Sequence, residues 1–248
     1  MYFSGQGKLF IASRLSSGLP GPLRFLGNVP ELKIGLKTEK LEHKESTSGQ
    51  RLTDLSLITG KSSSIEFPLE DFSQDNLALA LFGNKSSIAA STVTAEVMPT
   101  AAVGDYLRLR YGKVSAVVVK DSAGTPATLT LGTDYSINSA DHGSIKILNL
   151  GAFTQPFKVD YSYALQANVG MFQAAVVDRW LRFEGLNTAN ELKPVLVELY
   201  KVSLDPLSEL ALIGDGLTKL TLSGAALYDD LKVGDAVLGQ FGRVVDLS

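Results

Sequence analysis

The fold is decided by the stretch from Arg24 to Gly83, which reads RFLGNVPELKIGLKTEKLEHKESTSGQRLTDLSLITGKSSSIEFPLEDFSQDNLALALFG. Apolar and polar residues alternate from Leu32 to Leu36 and again from Leu55 to Leu69, which predicts strands with one buried face. The charged segment between them, Thr38 to Gln50, predicts a long loop. A short helix is expected over about Asp71 to Phe82, because an apolar stripe there follows Asp71 or Ser73, either of which can cap a helix. This stretch therefore predicts a mainly β domain with one flanking α-helix.

The remainder of the chain adds three regions with different patterns. Residues 1–23 carry glycine and proline turns around one apolar patch, which predicts an arm packed against something larger. Residues 95–167 show short strand patterns separated by turns and predict a small all-β module. After Met171 longer strands return, and Val195 to Leu204 is apolar on both faces, as a strand covered on both sides should be. We therefore expect a core domain made of residues 1–94 and 168–248, with residues 95–167 inserted as a separate module.

Composition limits the classes of function. The chain has 248 residues, 45% of them hydrophobic, no cysteine, and a formal net charge of -3. The lack of cysteine excludes disulfides and thiolate chemistry and fits assembly in a reducing cytoplasm. A mildly acidic chain with interspersed charges argues against a dedicated nucleic-acid binder, which needs clustered lysine and arginine. No secretory signal and no apolar run long enough to span a bilayer is visible, so no membrane partner is expected.

Residues that could carry chemistry do not form a known pattern. His43 and His142 are the only histidines, and each lies in a charged or turn-like context. The tripeptide Gly60-Lys61-Ser62 resembles the end of a phosphate-binding loop, but Leu55 stands where that motif needs a glycine. No calcium-loop spacing relates the four aspartates of the middle module, which are Asp121, Asp134, Asp141 and Asp160. We therefore expect no catalytic, cofactor or metal site and no enzymatic activity.

Two other functions stay open from the residues alone. The first is a monomeric β-rich binding module, such as an adhesin or a carbohydrate-recognition protein with an aromatic platform. Its candidate platform residues are Tyr106, Tyr111, Tyr135, Tyr161 and Tyr163. Tyrosine is also a favoured strand residue, so packing within the module explains the same cluster. The second is a hydrolase that uses paired carboxylates, although no spacing in the chain favours it.

Four passages carry a resemblance to a known family. Besides the opening stretch they are GQGKLFIASR, WLRFEGLNTANELKPVLVELYKV and LTLSGAALYDDLKVGDAVLGQFGRV. In this order they resemble the tail tube (major tail) proteins of long-tailed, siphovirus-like bacteriophages. The middle passage GTDYSINSADHGSIKIL is similar, more loosely, to the decoration-like or immunoglobulin-like insertions of some members. The resemblance covers much of the chain on both sides of the insertion.

The resemblance implies a fold and an assembly. The fold would be a β-sandwich of two roughly orthogonal sheets flanked by a helix, with a possibly immunoglobulin-like inserted module. Six copies would join their inner sheets into a ring, and stacked rings would conduct genomic DNA into the host cell. The partners would be further copies of the chain, the tape measure protein and double-stranded DNA in the lumen, and tail terminator and distal tail proteins at the ends. The protein would belong to the virion tail, assembled in the bacterial host cytoplasm.

The resemblance also implies roles for charged residues. The segment Thr38 to Gln50 would reach the neighbouring ring, and its stacking residues would be Glu39, Lys40, Glu42, His43, Lys44, Glu45 and Arg51. Candidate lumen carboxylates, chosen from predicted core strands, are Glu31, Glu66, Glu70 and Glu198. A single-ring adaptor or terminator protein of the same tail, built on a related fold, is a further alternative, because fold alone does not separate it from a polymerising subunit.

Overall fold

The computed structural model describes residues 2–232 and 237–247, and it is mainly β, as the sequence predicts. The chain divides into two compact units. Unit 1 comprises Met1–Lys85 and Val169–Ser248, and unit 2 comprises Ser86–Asn168. None of the helices in the described part of the chain is long and apolar enough to cross a membrane.

The strands and helices have the following bounds. In chain order the strands are β1 (Gly5–Ser13), β2 (Arg24–Phe25), β3 (Lys33–Lys44), β4 (Thr53–Leu69), β5 (Asn84–Ile88), β6 (Ser91–Val97), β7 (Tyr106–Arg108), β8 (Val114–Lys120), β9 (Tyr135–Ser139), β10 (Ser144–Ile147), β11 (Lys158–Tyr163), β12 (Gln166–Gly170), β13 (Arg179–Asn187), β14 (Lys193–Leu204), β15 (Leu220–Ala226) and β16 (Gly242–Asp246). Helix α1 spans Gln74–Ala80, and a 3₁₀ helix spans Asp230–Lys232. The expected boundary between Thr94 and Ala95 falls inside β6.

The described strands of unit 1 form one antiparallel sheet in the order β2-β1-β13-β14-β15-β4-β3, with β16 also paired to β14. β14 is central. β13 pairs along one edge of it, while its other edge pairs with β16 in the first half and with β15 in the second half. Leu199 and Tyr200 are sequence neighbours on opposite faces of β14, and both are buried. This confirms the prediction of a strand covered on both faces.

The main core of unit 1 lies on one face of this sheet. Leu9 and Ile11 of β1 belong to the same buried cluster as Ile65 and Phe67 of β4, although these strands are far apart in the strand order. The sheet therefore curls until its two ends share one core. Each fully buried side chain of this size contributes about 1.5–3 kcal/mol to folding.

Helix α1 closes this core. The hydroxyl of Ser73 accepts a hydrogen bond from the Asn76 amide at 3.4 Å, so Ser73 is the N-cap. Leu79 and Ala80 are buried in the core cluster. The helix was expected near Asp71 to Phe82 and is confirmed, but it is shorter because Ser73, and not Asp71, caps it.

A smaller cluster lies on the other face of the sheet. Trp180 packs on Tyr200 with ring centroids 4.8 Å apart, and Ala12 completes the buried set. The Tyr200 hydroxyl donates a hydrogen bond to the Leu238 carbonyl at 2.7 Å. Both faces of β14 are therefore covered within unit 1 at Leu199 and Tyr200.

A buried ion pair fastens β1 to the segment after β15. The Nη2 atom of Arg14 lies 2.6 Å from Oδ1 of Asp229, whose side chain is fully buried. The Leu231 amide donates to the same carboxylate at 3.1 Å. Burial alone would raise the pKa of Asp229, but the bonds from Arg14 and Leu231 lower that pKa below its ordinary value.

Two segments expected to be irregular are strands, and these expectations were wrong. Residues 38–44, expected as a loop, continue β3, and residues 5–13 of the expected arm form β1. All of β3 is exposed, including Ile34 and Leu36, so the buried face predicted for these residues is wrong. Beyond Leu36 no burial imposes a period-two pattern on the strand. β1 was not predicted because its glycines indicate turns. At Gly7 a glycine is needed within the strand, since a Cβ there would overlap the Glu184 carbonyl of the paired strand β13.

Unit 2 contains two three-stranded antiparallel sheets, β7-β10-β9 and β6-β11-β8. Both contribute to one core cluster, which includes Leu107, Ile145 and Ile147 from the first sheet and Val119 and Val159 from the second. Strands β5 and β12, which contain the two points where the chain passes between units, pair with each other.

Buried carboxylates organise the turns of unit 2. Asp121 accepts hydrogen bonds from the Ala127 and Thr154 amides at 2.7 and 3.3 Å, and these bonds lower its pKa although burial opposes them. Asp134 accepts from the Thr130 amide at 2.8 Å. Within the described residues no group of three or more histidine, aspartate or glutamate side chains could hold a metal ion.

Candidate functional site

The most unusual feature of unit 1 is the long hairpin formed by β3 and β4. The two strands pair from Lys33 opposite Glu66 to Lys44 opposite Thr53. Ser63 to Leu69 of β4 anchor the hairpin, because alternate side chains there enter the core. All residues of β3 and those of β4 from Thr53 to Thr59 are exposed. At about 3.3 Å per residue, residues 37–44 extend about 25 Å beyond the anchored part.

The outer part of the hairpin presents leucines to solvent. Leu41 pairs with Leu57, and Leu55 pairs with His43, so these four side chains share one face of the hairpin. Leu41 is 60% exposed, and Leu55 and Leu57 are each 49% exposed. A two-stranded hairpin without a covered face is only marginally stable in water. Contiguous exposed leucines on such a hairpin are typical of a surface that another chain covers.

The expected stacking residues lie along this hairpin rather than in a loop. Glu39, Lys40, Glu42, His43 and Lys44 are all in β3. Among the described strands β4 is the partner of β3, and the opposite edge of β3 pairs with none. Such an edge can add a strand from another chain, and charged side chains along it limit indiscriminate pairing.

Two charged side chains of the hairpin are engaged within it. His43 Nδ1 lies 2.7 Å from Oδ1 of Asp54. Glu45 accepts hydrogen bonds from the Ser48 hydroxyl and amide and from the Thr47 hydroxyl and amide. These bonds lower the pKa of Glu45 to about 2, so its carboxylate holds the turn together. Arg51, in the same turn, adopts a positive φ of 51°.

The candidate lumen carboxylates are distributed over unit 1, and each is paired. Glu31 and Glu66 both approach Nζ of Lys33, at 2.9 and 3.9 Å. Glu70 lies 3.1 Å from Nζ of Lys219, and bonds from Lys219 and Asn28 lower its pKa. The structure therefore does not gather these three into a row of free negative charges.

Glu198 has the most enclosed position of the four. It lies between Arg182 of β13 and Arg243 of β16, with Nη atoms at 3.0 and 2.8 Å, and its side chain is 7% exposed. Arg182 also bonds Glu184 at 2.8 Å. Arg182 and Arg243 are both directly opposite Glu198 in register, and Glu184 lies two residues from Arg182 on β13. These four groups therefore form a charge-balanced cluster on the face opposite the core.

An apolar groove adjoins the base of the hairpin and was not predicted from the sequence. Its volume is about 990 Å³. Its floor is a row of aligned residues on β1, β13, β14 and β16, which are Leu9, Phe183, Val197 and Val244. Ile34 of β3 lines the same groove. The alternation of each strand marks these residues as apolar positions, but only the strand register places them side by side.

His142 and most tyrosines of unit 2 contact neighbouring residues of the same unit. His142 Nδ1 lies 2.7 Å from the Ser139 hydroxyl in the exposed turn between β9 and β10. Four of the five module tyrosines pack inward: Tyr135 and Tyr161 are buried, and Tyr111 stacks on Tyr163 at 4.0 Å against the core. Tyr106 alone of these five is exposed. They therefore do not form an aromatic platform.

Comparison with known proteins gives a family. No curated protein matches the chain significantly. Residues 2–245 match a family described as protein of unknown function UCP028589. Because the match covers almost the whole chain, the protein belongs to this family.

Proposed function

We propose that the protein is the structural subunit of a phage tail tube, in which hexameric rings stack around a lumen that conducts genomic DNA. The observation that carries this proposal is the β3–β4 hairpin, whose outer part is exposed on both faces. In a monomer, the outer hairpin would expose leucines over about 25 Å without any covering surface, which is unfavourable in water. A chain that stacks on copies of itself would cover it.

The free strand edges support the same assembly. The outer edge of β3 is unpaired among the described strands, and β16 pairs only with β14 among them. Joining six sheets into a closed barrel removes such edges, which is the usual protection against uncontrolled strand pairing. The apolar groove beside Ile34 would be filled in the same step.

The proposal includes a finer description of the fold. The two ends of the curled sheet would act as the two roughly orthogonal layers of a tail tube β-sandwich, and unit 2 would be the immunoglobulin-like insertion. The support is that β1 and β4 share one core cluster, and that two three-stranded sheets share the core of unit 2.

The cluster of Arg182, Glu184, Glu198 and Arg243 suits a surface along which DNA passes. Duplex DNA carries about one negative charge per 1.7 Å of its axis, so a strongly basic wall would hold it. In this cluster two arginines and two glutamates balance each other at short range. We therefore place this face toward the lumen, where the tape measure protein and then DNA would pass. Tail terminator and distal tail proteins would close the two ends.

Negative-stain electron microscopy of the purified full-length protein over a concentration series tests the proposal. We expect rings with six subunits at low concentration and tubes with an axial channel at higher concentration. Rings that never stack would instead favour a single-ring adaptor or terminator. A chain that stays monomeric at every concentration, with hairpin amides that exchange freely, contradicts the proposal and leaves the monomeric binding module.

A further inference from the structure

A second pocket of unit 1 lies away from the hairpin. Its volume is about 320 Å³. Its walls come from β1, the region of β2, helix α1 and the segment that leads into β13. Among the polar lining residues are Ser13, Arg24, Asp75 and Arg179, and Ile11, Leu79 and Leu204 provide apolar wall. Two arginines thus face one partly enclosed space.

Arg24 is held in place by a buried amide. Its Nη1 atom donates to Oδ1 of Asn76 at 2.7 Å. Asn76 is fully buried, and its Nδ2 atom donates to the carbonyls of Leu26 and Asp71, each at 2.9 Å. The guanidinium group is therefore positioned by the fold before any ligand arrives. Burial lowers the pKa of Arg24, although Asp75 and Asp71 act in the opposite direction.

Arg179 faces the same pocket from the start of β13. Its Nη1 atom donates to the Ser13 hydroxyl at 3.1 Å. Burial lowers the pKa of Arg179, and the positive charge of Arg24 lowers it further. Both guanidinium groups line the same pocket, where their positive charges repel each other.

The pocket has no internal anion that neutralises both arginines. Within the described residues neither Arg24 nor Arg179 forms an ion pair with a carboxylate. Asp75 lines the pocket, but Nζ of Lys85 lies 2.5 Å from its Oδ1 atom. Each guanidinium has five N–H donors in a planar fork, and the hydrogen bonds above use one from each. Several donors therefore remain for an acceptor from outside.

We propose that this pocket binds an oxyanion, a carboxylate or phosphate group held between the guanidinium groups of Arg24 and Arg179 and the hydroxyl of Ser13. Such groups match the planar donor fork of arginine. The apolar wall leaves space for an aliphatic group beside the anion. The anion would come either as a free small molecule or as an acidic side chain of a second copy, and the latter source rests on the proposed assembly.

Isothermal titration of the full-length protein with inorganic phosphate at low ionic strength tests this site. We expect one phosphate per chain and at least a tenfold loss of affinity in Arg179→Gln. The matched control is Arg108→Gln, which removes an exposed arginine of unit 2 and should leave binding unchanged. Arg179→Lys should bind with intermediate affinity, because it keeps the charge and loses the fork. Since the titration needs no tubes, it does not depend on the proposed function.

A second readout identifies the source of the anion. If phosphate does not bind, sedimentation of the same variants decides: loss of self-association in Arg179→Gln but not in Arg108→Gln assigns the anion to a second copy. Ser13→Ala, which removes one exposed hydroxyl, should weaken the same readout two- to fivefold and serves if Arg179→Gln does not fold. Unchanged phosphate binding or, without it, unchanged association in the pocket variants would overturn the proposal.

Discussion

Two of the hairpins, β9–β10 and β3–β4, are stabilised in different ways. In unit 2 the β9–β10 hairpin is short, and Tyr135, Ile145 and Ile147 bury one of its faces in a core of its own. In unit 1 the β3–β4 hairpin is long, and its outer part buries no side chain among the described residues. The hairpin of unit 2 therefore has one covered face, whereas no described residue covers the outer part of the hairpin of unit 1. Strand pairing alone does not explain why the long β3–β4 hairpin is stable, because a two-stranded hairpin without a covered face is only marginally stable in water.

The largest effect should come from the core of the β9–β10 hairpin. Ile145 is fully buried, so Ile145→Ala should lower the free energy of unfolding of unit 2 by about 2–5 kcal/mol. Leu41→Ala in the exposed hairpin should change the stability of the monomer by less than about 0.5 kcal/mol. Hydrogen exchange of the full chain in urea measures both. Equal losses in the two variants would mean that the outer hairpin is covered within the monomer.

Replacing the turn glycine should also destabilise the β9–β10 hairpin more than the β3–β4 hairpin. Gly143 has a φ of 64°, and a Cβ there would overlap the Tyr111 carbonyl. Gly143→Ala should therefore cost about 2 kcal/mol or more. Gly49 has a φ of 79° with no atom within 4 Å, so Gly49→Ala should cost only the backbone strain of about 1 kcal/mol. Urea denaturation followed by hydrogen exchange in each turn tests the ranking, and the reverse order would contradict it.

For the proposed assembly, substitutions in the β3–β4 hairpin should have a larger effect than substitutions in unit 2. Leu41→Asp combined with Leu57→Asp places charge on the exposed leucine face, and we expect the concentration at which tubes form to rise at least tenfold. The control is Leu131→Asp, which alters a comparably exposed leucine of unit 2. Circular dichroism should show both variants folded. Normal tubes from the hairpin variant would remove the main support for the proposed function.

A related charge variant tests the expected stacking residues. Reversing Glu42, Lys44 and Glu45 together should block stacking while the chain stays folded, because exposed pairs are weak singly, about 0–1 kcal/mol, and accumulate only in a ring. Glu45 alone should act differently, since its carboxylate holds the turn. Electron microscopy of both variants distinguishes the two effects. If only the triple variant fails to form tubes, the charges act between rings; if Glu45→Gln also fails, the turn itself is required.

The smallest effect should be a pH dependence confined to the turn of the long hairpin. The pKa of Glu45 in the folded chain, about 2, is below its ordinary value, so the ionised form stabilises the turn. This contribution is complete above the ordinary pKa of glutamate and is lost as pH falls through about 2. Amide protection of Thr47 and Ser48 should fall over that interval. Glu45→Gln should remove the dependence, and persistence of the dependence in that variant would assign it to another group.

Sequence reasoning found the elements that bury a face. The central strand β14 was predicted from an apolar run that includes Leu199 and Tyr200, both of which are buried. Helix α1 was predicted from a cap followed by an apolar stripe of Leu77, Ala78, Leu81 and Phe82. The helix exists, but its buried apolar residues are Leu79 and Ala80 rather than that stripe. The outer part of β3 escaped prediction, since a strand that is exposed on both faces carries no alternation. The strand β1 escaped because Gly7, read as a turn residue, instead permits close approach of β13.

The candidate sites are formed by residues that strand pairing brings together, and local sequence patterns do not reveal this pairing. Glu198 was predicted as a lumen carboxylate, but its pairing with Arg182 and Arg243 follows from strands that are adjacent only in the folded sheet. Arg24 and Arg179 are 155 positions apart in the sequence and meet because β2, α1 and the start of β13 line one pocket. No local pattern identifies such pairs.

The position of Trp180 has a practical consequence. It is the single tryptophan of the chain, and it is packed on Tyr200 in unit 1. Intrinsic fluorescence excited at the tryptophan band therefore reports on unit 1 and is silent for unit 2. Trp180 and Glu198 lie on the same face of the sheet, the face that the proposed function turns toward the lumen. Under that proposal, Trp180 emission is a readout to follow during assembly. A single native tryptophan in unit 1 thus allows the proposed tube growth to be tested by fluorescence without an attached dye.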